Sequence, residues 1–330
     1  MTITSNRQGW HRQSVINKLG NLGILLVTIV ALVSIAEAVV RYVFRDVTTT
    51  SDGRGYFAKR WYEARRPIKN SSGFREREFV REKPADVYRI AVIGDSITYA
   101  PGVEEEDRYT NLLQLHGSGK YEVLNFGRWG AETVDHVQIL KELVLPVSPN
   151  FVLLQWFTND VEGRDKSGRP RPWPLVPSRR LFRASLAHSA LFFLVNERWV
   201  AIQEQLGLVK TYEVYMKERF ADPNSPASVA AQEALLQFIA VCKQHAIPVG
   251  IVLFANPHGG GGPFDFLLDR VLSVCQREAL PCLDTRSTFA PYENNGKLWV
   301  NRLDAHPGPL AHRLVAERIV QVFADGWRHP

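Results

Sequence analysis

The feature that most limits how this chain can fold is an apolar run, Leu22–Phe44 (LGILLVTIVALVSIAEAVVRYVF), in which Glu37 is the only charge before Arg41. Roughly 20 apolar residues in a helix suffice to cross a bilayer, so the run is long enough to span one. Glu37 lies four residues before Arg41, a spacing that lets the two pair on one helix face near a membrane boundary. Ala36-Glu37-Ala38 also has the small-x-small form of a signal-peptidase site, so two readings stand, a retained anchor and a cleaved signal peptide. The apolar character continues past that site through Val39, Val40, Tyr42, Val43 and Phe44, which favours the anchor. Either reading carries the rest of the chain out of the cytoplasm. Arg7, Arg12 and Lys18 precede the run with no acidic residue among them. A cytoplasmic N-terminus and an extracytoplasmic C-terminal part follow, because long domains cross largely regardless of their charge.

Behind the run comes a second basic group, Arg41, Arg45, Arg54, Lys59, Arg60, Arg65, Arg66 and Lys69. Basic flanks on both sides of an apolar helix suit anionic lipid headgroups. No RNA- or DNA-binding motif accompanies them, so no nucleic-acid partner is expected, and nothing in the sequence names a protein partner. The whole chain has 330 residues, 45% of them hydrophobic, and a net charge of +6; that is ample for a substantial core. The expected organisation is a short cytoplasmic N-terminus over 1–21, an anchor over 22–44, a polar stalk and arm over 45–86, and a globular domain over 87–330. There are three cysteines. Cys275 and Cys282 lie near enough in sequence to be oxidised together in an exported domain, while the alternative is that these two and Cys242 are small buried hydrophobes. No CxxC or His/Cys cluster occurs, so no metal or other cofactor is expected.

From Tyr88 onward, short apolar strands alternate with amphipathic helices. Strands are expected at Tyr88–Ile93, Tyr121–Leu124, Phe151–Trp156, Pro248–Phe254 and Leu280–Leu283. Helices are expected at Tyr109–His116, Thr133–Leu145, Phe264–Ala279 and Leu310–Phe323, with another opened by Ser225-Pro226 and running to His245. This alternation implies a parallel sheet covered by helices on both faces. It breaks at about 161–224, where a Pro/Arg-rich loop (Gly168–Arg180) leads into an apolar, aromatic helical stretch. That segment reads as an inserted hairpin over one edge of the sheet, either additional core or a substrate-facing cap.

Four short patterns occur in order, three of them just after strands: Gly94-Asp95-Ser96, then Asn125-Phe126-Gly127-Arg128-Trp129-Gly130, then Thr158-Asn159-Asp160, and finally Asp304-Ala305-His306-Pro307. In open parallel sheets, ligands sit beyond the C-terminal strand ends, where these patterns fall. A serine hydroxyl needs a base within hydrogen-bond reach to act as a nucleophile, and His306 can supply one to Ser96. Asp304 can fix the tautomer of that imidazole and stabilise its protonated form. The N–H groups of Ser96 and Gly130 and the side-chain amide of Asn159 can converge on the oxyanion that attack creates. Gly130 suits a place where a side chain would crowd the acyl group. Asp95 and Asp160 read as turn and cap residues, and His312 as a structural histidine in the last helix. His258, before four glycines, reads as part of a loop; no phosphate-loop context follows it.

With these four patterns the chain resembles the SGNH, or GDSL, hydrolase superfamily over about 70–323, in particular a bacterial subgroup with an N-terminal membrane segment. The resemblance implies a flavodoxin-like three-layer α/β/α sandwich with a parallel sheet, here added to an N-terminal transmembrane helix. It implies serine ester hydrolysis or acyl transfer with Ser96, Asp304 and His306 catalytic and Ser96, Gly130 and Asn159 forming the oxyanion hole. Two departures from the superfamily pattern stand out. The acid and base are Asp-x-His rather than Asp-x-x-His, and Phe157 replaces the usual glycine before Thr-Asn-Asp. The expected activity is that of a membrane-anchored esterase acting on small O-acyl esters, acetyl above all, on extracytoplasmic glycans. The alternatives are an O-acyltransferase of envelope polysaccharide and a non-catalytic carbohydrate-binding domain.

Overall fold

The structure, a computed structural model, describes residues 5–50, 53–117, 121–256, 262–292 and 295–327, with side chains from residue 17 onward. His258 and the first three of the four glycines after it lie outside the described residues.

Helix α1 (Ser5–Val43) contains the whole apolar run up to its last residue. It is followed by α2 (Tyr56–Arg65), which the Arg-rich composition of its segment had concealed and which buries Phe57, Ala58 and Trp61. Val47, Phe74, Arg75 and Glu76 are buried as well. Parts of the described segment between α1 and β1, around Val47, α2 and Phe74–Glu76, therefore pack on the domain, as an arm would.

Five strands form the sheet: β1 (Tyr88–Gly94), β2 (Tyr121–Gly127), β3 (Phe151–Trp156), β4 (Val249–Leu253) and β5 (Cys282–Asp284). All neighbours are parallel and the order is β2-β1-β3-β4-β5, the flavodoxin-like doubly wound arrangement. Strands β1, β3 and β4 are buried at every position, as continuous apolar strands covered on both faces must be. Between β1 and β2 lie the single-turn α3 (Ser96–Tyr99) and α4 (Tyr109–His116), and α5 (Thr133–Ile139) follows β2. Because crossovers are right-handed, the step from β1 out to β2 and the step back across to β3 put their helices on opposite faces. The later helices pair accordingly, α9 (Pro226–Gln244) with α5 and α12 (Pro309–Phe323) with α4. Helix α10 (Asp265–Arg277) connects β4 to β5, and Cys275 is bonded to Cys282 across that connection.

The region after β3 holds α6 (Arg179–His188), α7 (Ala190–Gln205) and α8 (Tyr212–Phe220). Helix α8 joins the main core through Tyr215, Met216 and Phe220. The α6–α7 hairpin does not cover a sheet edge as expected; it packs on α1 and α2, around a second core of Val47, Phe57, Leu186, Ala190 and Phe193. The reason is that the end of α1 and the face of α2 leave apolar surface of their own to be covered. Short helix α11 (Arg286–Phe289) follows β5 and leads to an antiparallel hairpin, β6 (Trp299–Asn301) and β7 (Asp304–Pro307), where the sequence analysis expected no strand.

Candidate active site

Ser96 lies two residues beyond the end of β1, at the point where the sheet order reverses between β1 and β3. The sharp change from strand to helix is fixed by Asp95, whose carboxylate accepts from the Ile97 N–H at 2.9 Å. Two buried polar side chains from neighbouring strands hold the turn from below. Gln155 of β3 accepts from the Asp95 N–H at 3.2 Å and from the Thr98 hydroxyl at 2.8 Å. Asn125 of β2 donates to the Thr98 carbonyl at 2.8 Å and accepts from the Gly127 N–H at 2.8 Å. A Cβ at Gly94 would strike the Thr98 hydroxyl and the Gln155 carbonyl oxygen, so this strand end requires glycine.

The histidine comes from the β6–β7 hairpin. Residues two apart on a strand face the same side, and this puts Asp304 and His306 of β7 together beside Ser96. The Asp304 carboxylate accepts from the His306 ring at Nδ1, 2.6 Å away, and from the His306 backbone N–H at 3.0 Å. With Nδ1 protonated, Nε2 of His306 faces the Ser96 hydroxyl at 3.0 Å as acceptor. The strand explains why one intervening residue suffices between acid and base. Burial is the largest influence on His306 and opposes its charge, but the Asp304 hydrogen bond, the Asp304 charge and the Asp95 charge outweigh it and raise the imidazole above its ordinary pKa.

Gly130 and Asn159 line the same cavity of about 450 Å³ as Ser96 and His306. Gly130 has φ of +74°, and a Cβ there would meet nothing within 4 Å. The left-handed backbone thus favours glycine here, and the space a Cβ would occupy is left open to the cavity. No described residue accepts from the N–H of Ser96 or Gly130. Asn159 stands beside Asp95, a carboxyl whose pKa is raised, chiefly by burial and against the pull of the Ile97 N–H, His306, Gln155 and Asn159. Phe157 forms part of the cavity edge. Asp160 turns its carboxylate back to the Phe157 N–H at 2.9 Å and is kept well above the usual carboxylate range, chiefly by burial. His312 is buried, stacked on Tyr109, and held down to about 3, chiefly by burial.

The sequence reading missed several residues that shape this site. Trp129 packs its ring edge-on to His306 with centroids 5.6 Å apart. Arg75, from the segment expected as a stalk, donates to the carbonyls of Ala100 at 2.5 Å and Val103 at 2.8 Å, clamping the end of the Ser96 turn. Glu132, Glu162, Lys166 and Arg169 make the opposite cavity wall charged. Lys166 pairs with Glu132, and burial, with Arg169 and Arg219 nearby, brings its pKa down to about 8. A signal for Asn125 and Gln155 was present, since an amide inside a buried strand must find hydrogen bonds.

No family model matches the chain, and no curated protein does. Among solved structures it is similar to LAE5, an α/β hydrolase enzyme from the metagenome of Lake Arreo, Spain, at 16% identity over 74% of this chain and 97% of that one, with a TM-score of 0.46. It is similar also to the acetyl xylan esterase AlAXEase, at 18% identity over 71% of this chain and 98% of that one, TM-score 0.42. A third is a member of the lipolytic G-D-S-L family from Veillonella parvula, at 14% identity over 72% and 98%, TM-score 0.42.

Proposed function

We propose that this chain is a membrane-anchored serine esterase of the SGNH type, which removes small O-acyl groups, acetyl above all, from extracytoplasmic glycans. The observation that carries the reading is the line of contacts from Asp304 through His306 to Ser96, at 2.6 and 3.0 Å, on the edge of an open cavity at a strand-order reversal. In this mechanism the Ser96 oxygen attacks the ester carbonyl while Nε2 of His306 takes its proton. The oxyanion is met by the N–H groups of Ser96 and Gly130 and by the second amide proton of Asn159, and each such donor is worth about 3–4 kcal/mol in the transition state. His306 then passes its proton to the departing alcohol, and water, activated by the same imidazole, releases the acyl group from Ser96.

A sugar-bearing substrate suits the remaining walls. Trp129 offers an aromatic face, and Glu132, Lys166 and Arg169 offer charged partners to hydroxyl groups, where an acyl-chain tunnel would be apolar. The anchor reading is supported by α1, whose residues 17–35 are all exposed, and by the Cys275–Cys282 bond, which suits an oxidising compartment. The cavity also has room beside Ser96 for a second hydroxyl-bearing molecule, which favours transfer to a sugar as the second reading. The test is turnover of p-nitrophenyl acetate by the full chain in detergent, with and without an oligosaccharide acceptor, for wild type and Ser96→Ala. Hydrolysis that disappears in Ser96→Ala supports the esterase. Product on the oligosaccharide in place of free acetate shifts the reading to transfer. A folded wild type with neither activity contradicts both.

A further inference from the structure

We propose that the α6–α7 hairpin and the proline-rich loop before it rest on an anionic bilayer surface beside the anchor, so that the candidate active site works at the membrane face. The inference rests on the reading of α1 as a retained anchor. Residues 17–35 of α1 are exposed, and the first partly covered positions are Ala36 and Glu37. From Leu22 to Val43 the apolar part of α1 spans roughly 33 Å at about 1.5 Å per residue, enough for the ~30 Å of a hydrocarbon core, and its last two turns are the ones that meet the domain. The bilayer boundary therefore falls along the stretch of α1 that touches the domain.

What α1 touches there is the start of α7. The Glu37 carboxylate accepts from the Ser189 hydroxyl at 2.8 Å and from the N–H groups of Ala190 at 3.0 Å and Leu191 at 2.9 Å. Arg41 pairs with Glu37 and donates to the His188 carbonyl at 3.0 Å. The corner between α6 and α7 is thus tied to this end of α1 by four hydrogen bonds.

The surface of the hairpin has the chemistry of an interfacial face. Between Asp165 and Glu197 the chain has no acidic residue but carries Arg171, Arg179, Arg180 and Arg183, all exposed. Among the described residues after α1, eleven large apolar side chains are exposed, and six of them fall in 173–208. Of these, Trp173 and Leu181 stand among the arginines, and Val195, Ile202 and Leu206 recur on one side of α7 at helical spacing. Apolar side chains set among cations, at the level where a span leaves the bilayer, fit anionic headgroups with the acyl boundary beneath. The same placement reaches the site by two routes. The loop with Trp173 starts at Lys166 and Arg169 on the cavity wall. The turn between β6 and β7 is fastened to the end of α1, with Arg302 donating to the Val43 carbonyl at 2.8 Å and Asn301 to the Thr49 carbonyl at 3.0 Å.

The test uses the full chain, reconstituted in vesicles of phosphatidylcholine with and without phosphatidylglycerol. Spin labels are attached singly through Leu181→Cys, Val195→Cys and, as a control on the exposed face of α9, Val229→Cys. Flotation and intact mass report whether the anchor is retained. In phosphatidylglycerol vesicles the labels at 181 and 195 should collide more with lipid-soluble oxygen than with a water-soluble nickel chelate, and the label at 229 the reverse. Arg179→Gln/Arg180→Gln/Arg183→Gln should move the 181 label toward the behaviour of the control. A floating chain whose 181 and 195 labels are as water-accessible as 229 overturns the docking while leaving the anchor intact. Labels shielded from both reagents overturn it in favour of a protein covering that face. A chain cut after Ala38 that stays in solution overturns the anchor and the docking together.

Discussion

Around Ser96 the molecule is held by buried hydrogen bonds among residues at the ends of β1, β2 and β3, with Gln155 and Asn125 underneath and Asp304 behind His306. Around the end of α1 it is held by apolar packing among helices, with rings of Phe57 and Phe193 5.6 Å apart, and by one carboxylate shared along the start of α7. The first region has directional contacts that fix atoms to within the reach of a proton transfer. The second has mostly contacts that fix an orientation and tolerate small shifts. The difference separates a part of the molecule built to do chemistry from a part that sets where the chemistry happens.

Substitutions in the two regions should therefore differ in what they change. The largest effect is expected for Asp304→Asn. It leaves the shape of the site but removes the partner that fixes the imidazole tautomer, and ester turnover should fall by about 10³–10⁴-fold. The pH profile sharpens the same point. His306 acts as a base only when neutral, and its pKa is raised above 6.5 because the Asp304 hydrogen bond and charge, with Asp95, outweigh burial. In wild type kcat/KM should rise with pH along a limb centred above that value. Loss of the Asp304 charge should move the limb to lower pH, and an unshifted limb would break the assignment.

An intermediate effect is expected for Arg75→Met. Arg75 reaches from the segment between α2 and β1 to the turn behind Ser96, with Trp61 of α2 on its guanidinium, and so belongs to both regions. Leaving two buried carbonyls without their charged donor should cost about 3 kcal/mol in urea unfolding, and kcat should fall by about tenfold as the Ser96 turn loosens. The smallest effect on chemistry is expected for Glu37→Ala. Loss of this cap should weaken the first turn of α7 by about 1 kcal/mol, seen as faster hydrogen exchange there, with kcat unchanged. A large fall in kcat for Glu37→Ala would erase the distinction between the regions.

The same contrast decides what could be read in advance. Ser96, Gly130 and Asn159 each follow an apolar strand within a few residues, so local pattern alone brought them to one sheet edge. Asp304 and His306 were legible as an acid and a base, but not as strand neighbours, because β7 is only four residues long and its partner β6 only three. The positive φ of Gly130 leaves no trace in the sequence, which offered only the crowding of an acyl group as a reason for glycine there. The second core was illegible for a different reason. Phe57 of α2 sits on an apolar helix face, yet the side chains that cover it lie more than a hundred positions on, in α6 and α7. The apolar stretch of the insertion announced that it would be covered without naming by what, and the surface it found was the end of α1 and the face of α2.

The measurement that bears most directly on the central claim is covalent labelling of the full chain with a fluorophosphonate, followed by peptide mapping, in wild type and His306→Ala. A single adduct on Ser96 in wild type, formed at least about 10²-fold more slowly in His306→Ala, is the predicted result. A folded wild type that stays unlabelled, or that carries the adduct on another residue, would contradict the assignment of Ser96 as an activated nucleophile.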